Sequence, residues 1–355
     1  MSVYKDFNIQ PESSLVSSDI VTNVKDTVSS GMWANGDGSM TAFFTSSTQS
    51  ASNHQYYLDV YATNPATDTT AKSQFSVAFG HVHGSGSAGT KGVTGNRASA
   101  AIYRQLSNTL LGPTEDRFNF ANSGGDHTTP HYIYAISIAR QQLREKMDPG
   151  NWELHFSGSG GGAGPETLKL IDDSGATTNP TVNQGGRVFN IVSGSIQGGV
   201  ATIKTPATSQ DGGGFGLFYP DMGLLIFNGP VLAGQTSASL SASIASNTEG
   251  GNVGKFYEKI KGGQYFSSRR EEVISSQHYF CRVPNKEFNF SSNPTFATGS
   301  TGNFTVPTFY KNPKTFITQV GLYNDNNELL AIAKLSKPLL KSYAREAIIK
   351  VKLDF

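Results

Sequence analysis

His81-Val82-His83 comes closest in this sequence to a constellation that does chemistry. In an extended strand, residues i and i+2 point to the same side, so both imidazoles would face one ion. Imidazole suits zinc, copper, iron or nickel, and a homotrimer stacking the motif about its axis would multiply the ligands. The competing reading is two ordinary polar residues at a strand end beside a glycine-rich loop. The expected metal complement is therefore none, with His81 and His83 as the candidates. Asp126-His127-Thr-Thr-Pro-His131 also contains ligand types. There Pro130 would separate a loop from a helix, and capping by Thr128 or Thr129 is the simpler account.

Other motifs are weaker. Gly84-Ser-Gly-Ser-Ala-Gly89 matches the dinucleotide fingerprint by letter and follows a predicted strand. A pyrophosphate site needs the turn to open directly into a helix, whereas Thr90 to Asn96 reads as further loop. The glycine run Gly158 to Gly164 fares no better. Asp172-Asp173 and Glu271-Glu272 are carboxylate pairs, but neighbours in a strand point to opposite faces and do not converge as an acid/base dyad. Both pairs are expected in turns or on solvated faces. Neither G-x-S-x-G nor H-E-x-x-H occurs, and Arg269-Arg270 is too small a cluster for nucleic acid. No enzyme activity, cofactor or small-molecule substrate is expected.

The composition agrees. The chain has 355 residues, with 28 basic against 27 acidic, a net charge of +1 that gives no electrostatic case for nucleic acid or an anionic membrane. Charged residues make up only 15%, replaced by Ser, Thr, Asn and 39 glycines, while 22 Phe and 14 Tyr promise an aromatic core. Cys281 is the single cysteine, which excludes a disulfide framework and a cysteine-based zinc site. It is expected as a small buried hydrophobe. The N-terminus lacks a signal-peptide pattern, and no apolar run approaches the ~20 residues of a membrane span. A soluble protein made in a reducing compartment is the expectation.

The elements that would position these residues are mainly strands. Phe75, Val77 and Phe79 alternate in Gln74–Gly80, and Tyr56, Leu58 and Val60 alternate in His54–Tyr61. The rest of the first 75 residues reads as strand-poor. Two amphipathic helices are predicted, Arg97–Leu111 with Ala98, Ala101, Ile102, Leu106 and Leu110 on one stripe, and Pro130–Met147 with Ile133, Ile136, Ala139, Leu143 and Met147. From Trp152 onward short apolar runs alternate with Gly, Asn, Asp and Ser, as in antiparallel sandwiches. Gln235–Gly254 reads as an exposed arm, and Lys255–Lys261 as a short helix. Phe316–Tyr323 and Leu329–Leu335 form a hairpin about Asn324–Asn327, with Phe316, Thr318, Val320 and Leu322 on one face. The alternating segment Ala347–Phe355 predicts a terminal strand pinned in a sheet.

The fold class expected is mainly β with a minor α component (α+β), an antiparallel, sandwich-like body with two helices in the N-terminal half. Three regions are expected: 1–150 as an α+β region, 151–283 as a glycine-rich β region, and 284–355 as the hairpin and terminal strand.

Lys314–Ser342, from Lys-Thr-Phe-Ile-Thr-Gln-Val-Gly-Leu-Tyr to Leu-Leu-Lys-Ser, resembles the tail end of virion structural proteins of T-even-like myophages, especially those infecting cyanobacteria. Asp19–Val28, Ala101–Leu106, Val188–Gly194 and Pro284–Phe296 are similar to the same family. The resemblance implies a non-catalytic part of the contractile tail, with the baseplate wedge favoured, assembled in the host cytoplasm with other tail proteins and with further copies of itself. A fibre-attachment or receptor-binding protein, a neck or capsid protein, and a tailspike glycosidase stay open as alternatives. The glycine loops Gly80–Gly95 and Gly158–Gly164 and the arm Gln235–Gly254 are the expected contact elements.

Overall fold

Tyr132–Ile138 is a strand buried on both faces, not the helix that its Ile133-Ile136-Ala139 spacing suggests. Tyr, Ile and Ala fill every position but Ser137, so both faces are apolar and a helical stripe can be read into them. Aromatic and β-branched side chains favour the pleated surface. The only helical residues in the expected 130–147 helix are the four of Arg140–Leu143.

The computed structural model describes residues 20–46, 57–87, 97–121, 127–157, 167–176, 180–205, 214–235, 251–291, 294–298 and 300–355. Its strands in chain order begin with β1 (Ile20–Gly31), β2 (Ser39–Met40), β3 (Phe44–Thr45), β4 (Tyr57–Tyr61), β5 (Ser73–His81), β6 (Phe120–Ala121), β7 (His127–Thr128) and β8 (Tyr132–Ile138). Next come β9 (Lys146–Ser157), β10 (Thr167–Asp172), β11 (Thr181–Asn183), β12 (Gly186–Gln197), β13 (Val200–Thr205), β14 (Gly216–Tyr219) and β15 (Leu224–Asn228). The last are β16 (Phe266–Val283), β17 (Lys314–Tyr323), β18 (Leu329–Ser342) and β19 (Ala347–Asp354). The helices are α1 (Ala98–Leu110), α2 (Arg140–Leu143), α3 (Gly229–Gln235) and α4 (Gly251–Gly263). At 52% strand and 16% helix the protein is mainly β with a minor α component. No helix among the described residues is long and apolar enough to cross a membrane.

The chain divides into one unit of residues 28–272 and a second made of 1–27 with 273–355. The boundary expected at residue 150 falls inside β9, which continues through Asp148-Pro149-Gly150 because Gly150 takes a left-handed φ of 79°.

In the 28–272 unit an antiparallel sheet follows the path β16-β9-β10-β12-β14-β15-β8-β5-β4-β3. Strand alternation sends side chains to two cores. Tyr134 and Ile136 of β8, Phe227 of β15, Phe218 of β14 and Trp152 of β9 enter the larger one. It is closed by α4, whose Phe256 stacks 4.8 Å from Tyr134. Ile133, Ala135, Ile226 and Tyr219 point the other way, onto α1. That helix forms where expected, but its buried stripe is Ala100, Tyr103, Ser107 and Leu110, and Ala101 faces solvent. Gly80 explains the offset. A Cβ there would sit 3.2 Å from the Tyr103 backbone, so helix and sheet are in close contact along that line. The helix expected at 255–261 starts earlier, at Gly251.

Two long strands lack clear alternation: β1, in a stretch expected to be strand-poor, and β16, which falls in the expected 151–283 β region but is not predicted there as a strand of its own. Most of β1 is exposed, so hydrogen bonding in the ladder rather than burial of a face forms it.

In the other unit, Ser276–Val283 of β16 pairs with β19, where Ile349 and Val351 are buried and Lys350 and Lys352 are exposed, as the alternation predicts. The hairpin β17–β18 forms a separate two-stranded sheet. Its turn uses the expected chemistry: Asn324 Oδ1 accepts the Asn326 and Glu328 N–H groups, and Asn327 adopts φ 62°. β18 runs past Leu335 and through Pro338 to Ser342, which a register shift between Ile317 and Gln319 accommodates. That shift interrupts the single face expected for Phe316 to Leu322.

Candidate functional site

Strand β5 ends at His81, and the chain turns at Val82 and His83, so the i, i+2 geometry of a strand does not apply to the pair. The turn instead brings in a third imidazole. Tyr132 pairs with His81 across β5–β8, and the Val82 N–H donates to the His131 carbonyl at 2.8 Å. The three ring centroids lie 6.0 Å (His81–His83), 6.3 Å (His81–His131) and 5.5 Å (His83–His131) apart. His81 is buried at 5% exposure, while His83 and His131 are exposed.

One hydrogen bond decides what His81 can do. Its Nδ1 accepts the His83 backbone N–H at 3.0 Å. The neutral ring must then carry its proton on Nε2, which leaves no lone pair for an ion. A metal-bound histidine has the reverse arrangement, its second nitrogen donating. Consistent with this, no group of three His, Cys, Asp or Glu among the described residues is placed to hold a metal ion. Burial, then the fields of His83 and His131, push His81 down to about 4. It is a neutral ring stacked parallel to Tyr132, with centroids 6.5 Å apart. Asp126 lies outside the described residues. His127 belongs to β7 rather than to a loop before a helix.

The glycine fingerprint is described from Gly84 to Ser87, with Gly84 and Gly86 at φ 78° and 76°. Its serine serves the N-terminus of α1: Ser87 Oγ accepts the Ser99 N–H at 3.1 Å, and Ser99 Oγ donates to the Ser85 carbonyl at 3.0 Å. Those helix-end groups are thus committed within the chain. The rest of that loop, the Gly158–Gly164 run and most of the Gln235–Gly254 arm lie outside the described residues.

The carboxylate pairs separate. Glu271 pairs with Lys146, and Glu272 with Arg144 and Arg270. Asp172 and Asp173 are buried, at 1% and 9% exposure, rather than solvated. Asp172 accepts the Gly150 and Ser174 N–H groups, and Asp173 those of Asn190, so both fasten loops to strands. Burial pushes the Asp172 carboxyl up, against those hydrogen bonds. Cys281 is half-buried on β16, opposite Ile349.

A second His pairing escaped the sequence reading. Glu153 and His155 share one face of β9, and the buried Glu153 carboxylate binds His155 Nε2 and the Ile196 N–H. The Glu-x-His spacing in a strand was the available signal. With both oxygens engaged, the pair ties β9 to the end of β12.

The feature with the clearest capacity for partners is apolar surface. Of the nineteen large hydrophobic residues exposed among the described residues, fourteen lie in the unit containing the C-terminal hairpin. Phe316 is 63% exposed, Leu330 66% and Ile332 53%, on a ribbon of two strands only. A two-stranded hairpin is at best marginally stable in water, and clustered apolar surface marks interaction sites.

Comparison with known proteins gives no matching family model, no similar curated protein and no similar solved structure.

Proposed function

We propose that this chain is a non-catalytic structural subunit of a phage particle, part of a contractile tail and seated in the baseplate wedge, where it holds neighbouring tail proteins together. The observation that carries the reading is the exposed apolar hairpin β17–β18, a surface suited to being covered in an assembly. The resemblance of Lys314–Ser342 to myophage virion proteins supplies the kind of assembly. The committed hydrogen bonds of His81, Asp172, Asp173 and Glu153 supply the non-catalytic part, since each is engaged in holding the fold.

The test is to purify particles from an infected culture, separate tails from heads, and quantify peptides of this chain in each fraction. Enrichment with tails, at a fixed ratio to other tail proteins, is the expected result. Absence from purified particles, or confinement to heads, removes the reading.

A further inference from the structure

Lys341 is the one lysine among the described residues that is wholly buried, at 0% exposure. Such a residue usually has a carboxylate partner. Here Nζ donates to three neutral oxygens instead: the Asn285 carbonyl at 3.0 Å, Asn289 Oδ1 at 3.2 Å and its neighbour Ser342's carbonyl at 3.2 Å. It forms no ion pair among the described residues. Burial pushes the amine down, while Glu346 and Glu287 act in the opposite direction. A desolvated lysine gains nucleophilic character because its neutral form is favoured.

The Asn289 carboxamide is held beside the Lys341 amine. Its Oδ1 accepts a hydrogen bond from Lys341 Nζ, and its Nδ2 donates to the Asn285 carbonyl at 2.7 Å, so both ends of the amide are fixed. Thr315 Oγ1 donates to the Phe288 carbonyl at 2.7 Å and clamps the adjacent backbone to β17. An amine and an electrophile held within hydrogen-bond reach of each other react as a unimolecular pair.

We propose that Lys341 and Asn289 join in an intramolecular isopeptide bond, Lys341 Nζ to Asn289 Cγ. The Nζ lone pair forms the new C–N bond, the bond from Cγ to Nδ2 breaks, and Nδ2 leaves as ammonia. Starting from the ammonium form, one lysine proton stays on the new amide and two pass to the leaving nitrogen, which departs as ammonium. No oxidant, reductant or co-reactant is needed. The link joins residues 52 positions apart and fastens the end of β18 to the segment following β16. A covalent closure of that length restricts the unfolded chain and keeps β18 from peeling away under load.

Intact-mass spectrometry of the full chain tests this, fresh and after prolonged incubation at mildly alkaline pH. The expected mass is that of the sequence less one ammonia, with a proteolytic fragment in which the Lys341 and Asn289 peptides are joined. Lys341→Arg and Asn289→Ala should each restore the full mass. A full sequence mass with two separate linear peptides in the wild-type digest overturns the proposal. So does an ammonia loss that maps elsewhere.

Discussion

Phe75 and Phe266 meet edge to face at 5.4 Å, although six strands separate β5 from β16 along the sheet path. The sheet therefore coils until its two sides share one aromatic core, with Trp33 against both rings. Phe266→Ala removes the contact that closes this coil. It is expected to cost about 3–5 kcal/mol, as for other large-to-small core substitutions. Urea unfolding of the variant against wild type measures it, and a loss under about 1 kcal/mol would mean the coil closes without that ring.

His81 makes stability depend on pH. Its folded-state value, about 4, lies below the 6.5 of an ordinary histidine, so the unfolded chain binds the extra proton. The neutral ring's contribution is fully present above 6.5 and is lost as pH falls toward 4. His81→Asn keeps an acceptor for the His83 N–H but cannot be protonated. Melting temperatures across that window should fall less steeply in the variant than in wild type, and parallel curves would show that His81 titrates normally.

Arg187 grips Asp221 at 2.9 Å, with its own backbone N–H adding a further bond. Burial alone would raise Asp221, but the bonds and charge of Arg187 outweigh it and hold the carboxyl below its usual 3.8. The stabilisation is present above that value and lost as pH falls through the lowered one. Both side chains are about one third exposed, which limits the pair to about 1 kcal/mol. A double-mutant cycle with Arg187→Met and Asp221→Asn should return a coupling of that size at pH 7, and a smaller one in high salt.

The exposed hairpin predicts behaviour of the isolated chain. Phe316→Ser with Ile332→Ser should reduce binding of an apolar fluorescent dye and self-association in sedimentation velocity. Unfolding free energy should change by no more than about 0.5 kcal/mol, because both positions are surface sites. Unchanged dye binding with lower stability would place these side chains in a core instead.

Much of the fold was legible because its signals are local. The alternation of Phe75, Val77 and Phe79, the Asn324–Asn327 turn and the α1 span each depend on residues close in sequence. β8 was not legible, since a strand buried on both faces lacks the alternation that separates it from a helix. β1 was hidden for the opposite reason: it is mostly exposed, and its pairing has no hydrophobic pattern. The histidine cluster was half visible. His81 and His83 stand out by spacing, but His131 joins them only through the β5–β8 register. Lys341 gave no signal, because its burial depends on the loop of Asn285 and Asn289 folding over it.

The central claim, a structural subunit of a phage tail, is tested most directly by a cryo-EM map of intact contractile tails from purified particles. The account predicts density for this chain in the baseplate, with Phe316, Leu330 and Ile332 covered by neighbouring proteins. A map with no place for the chain, or one in which those three side chains face solvent, would contradict it.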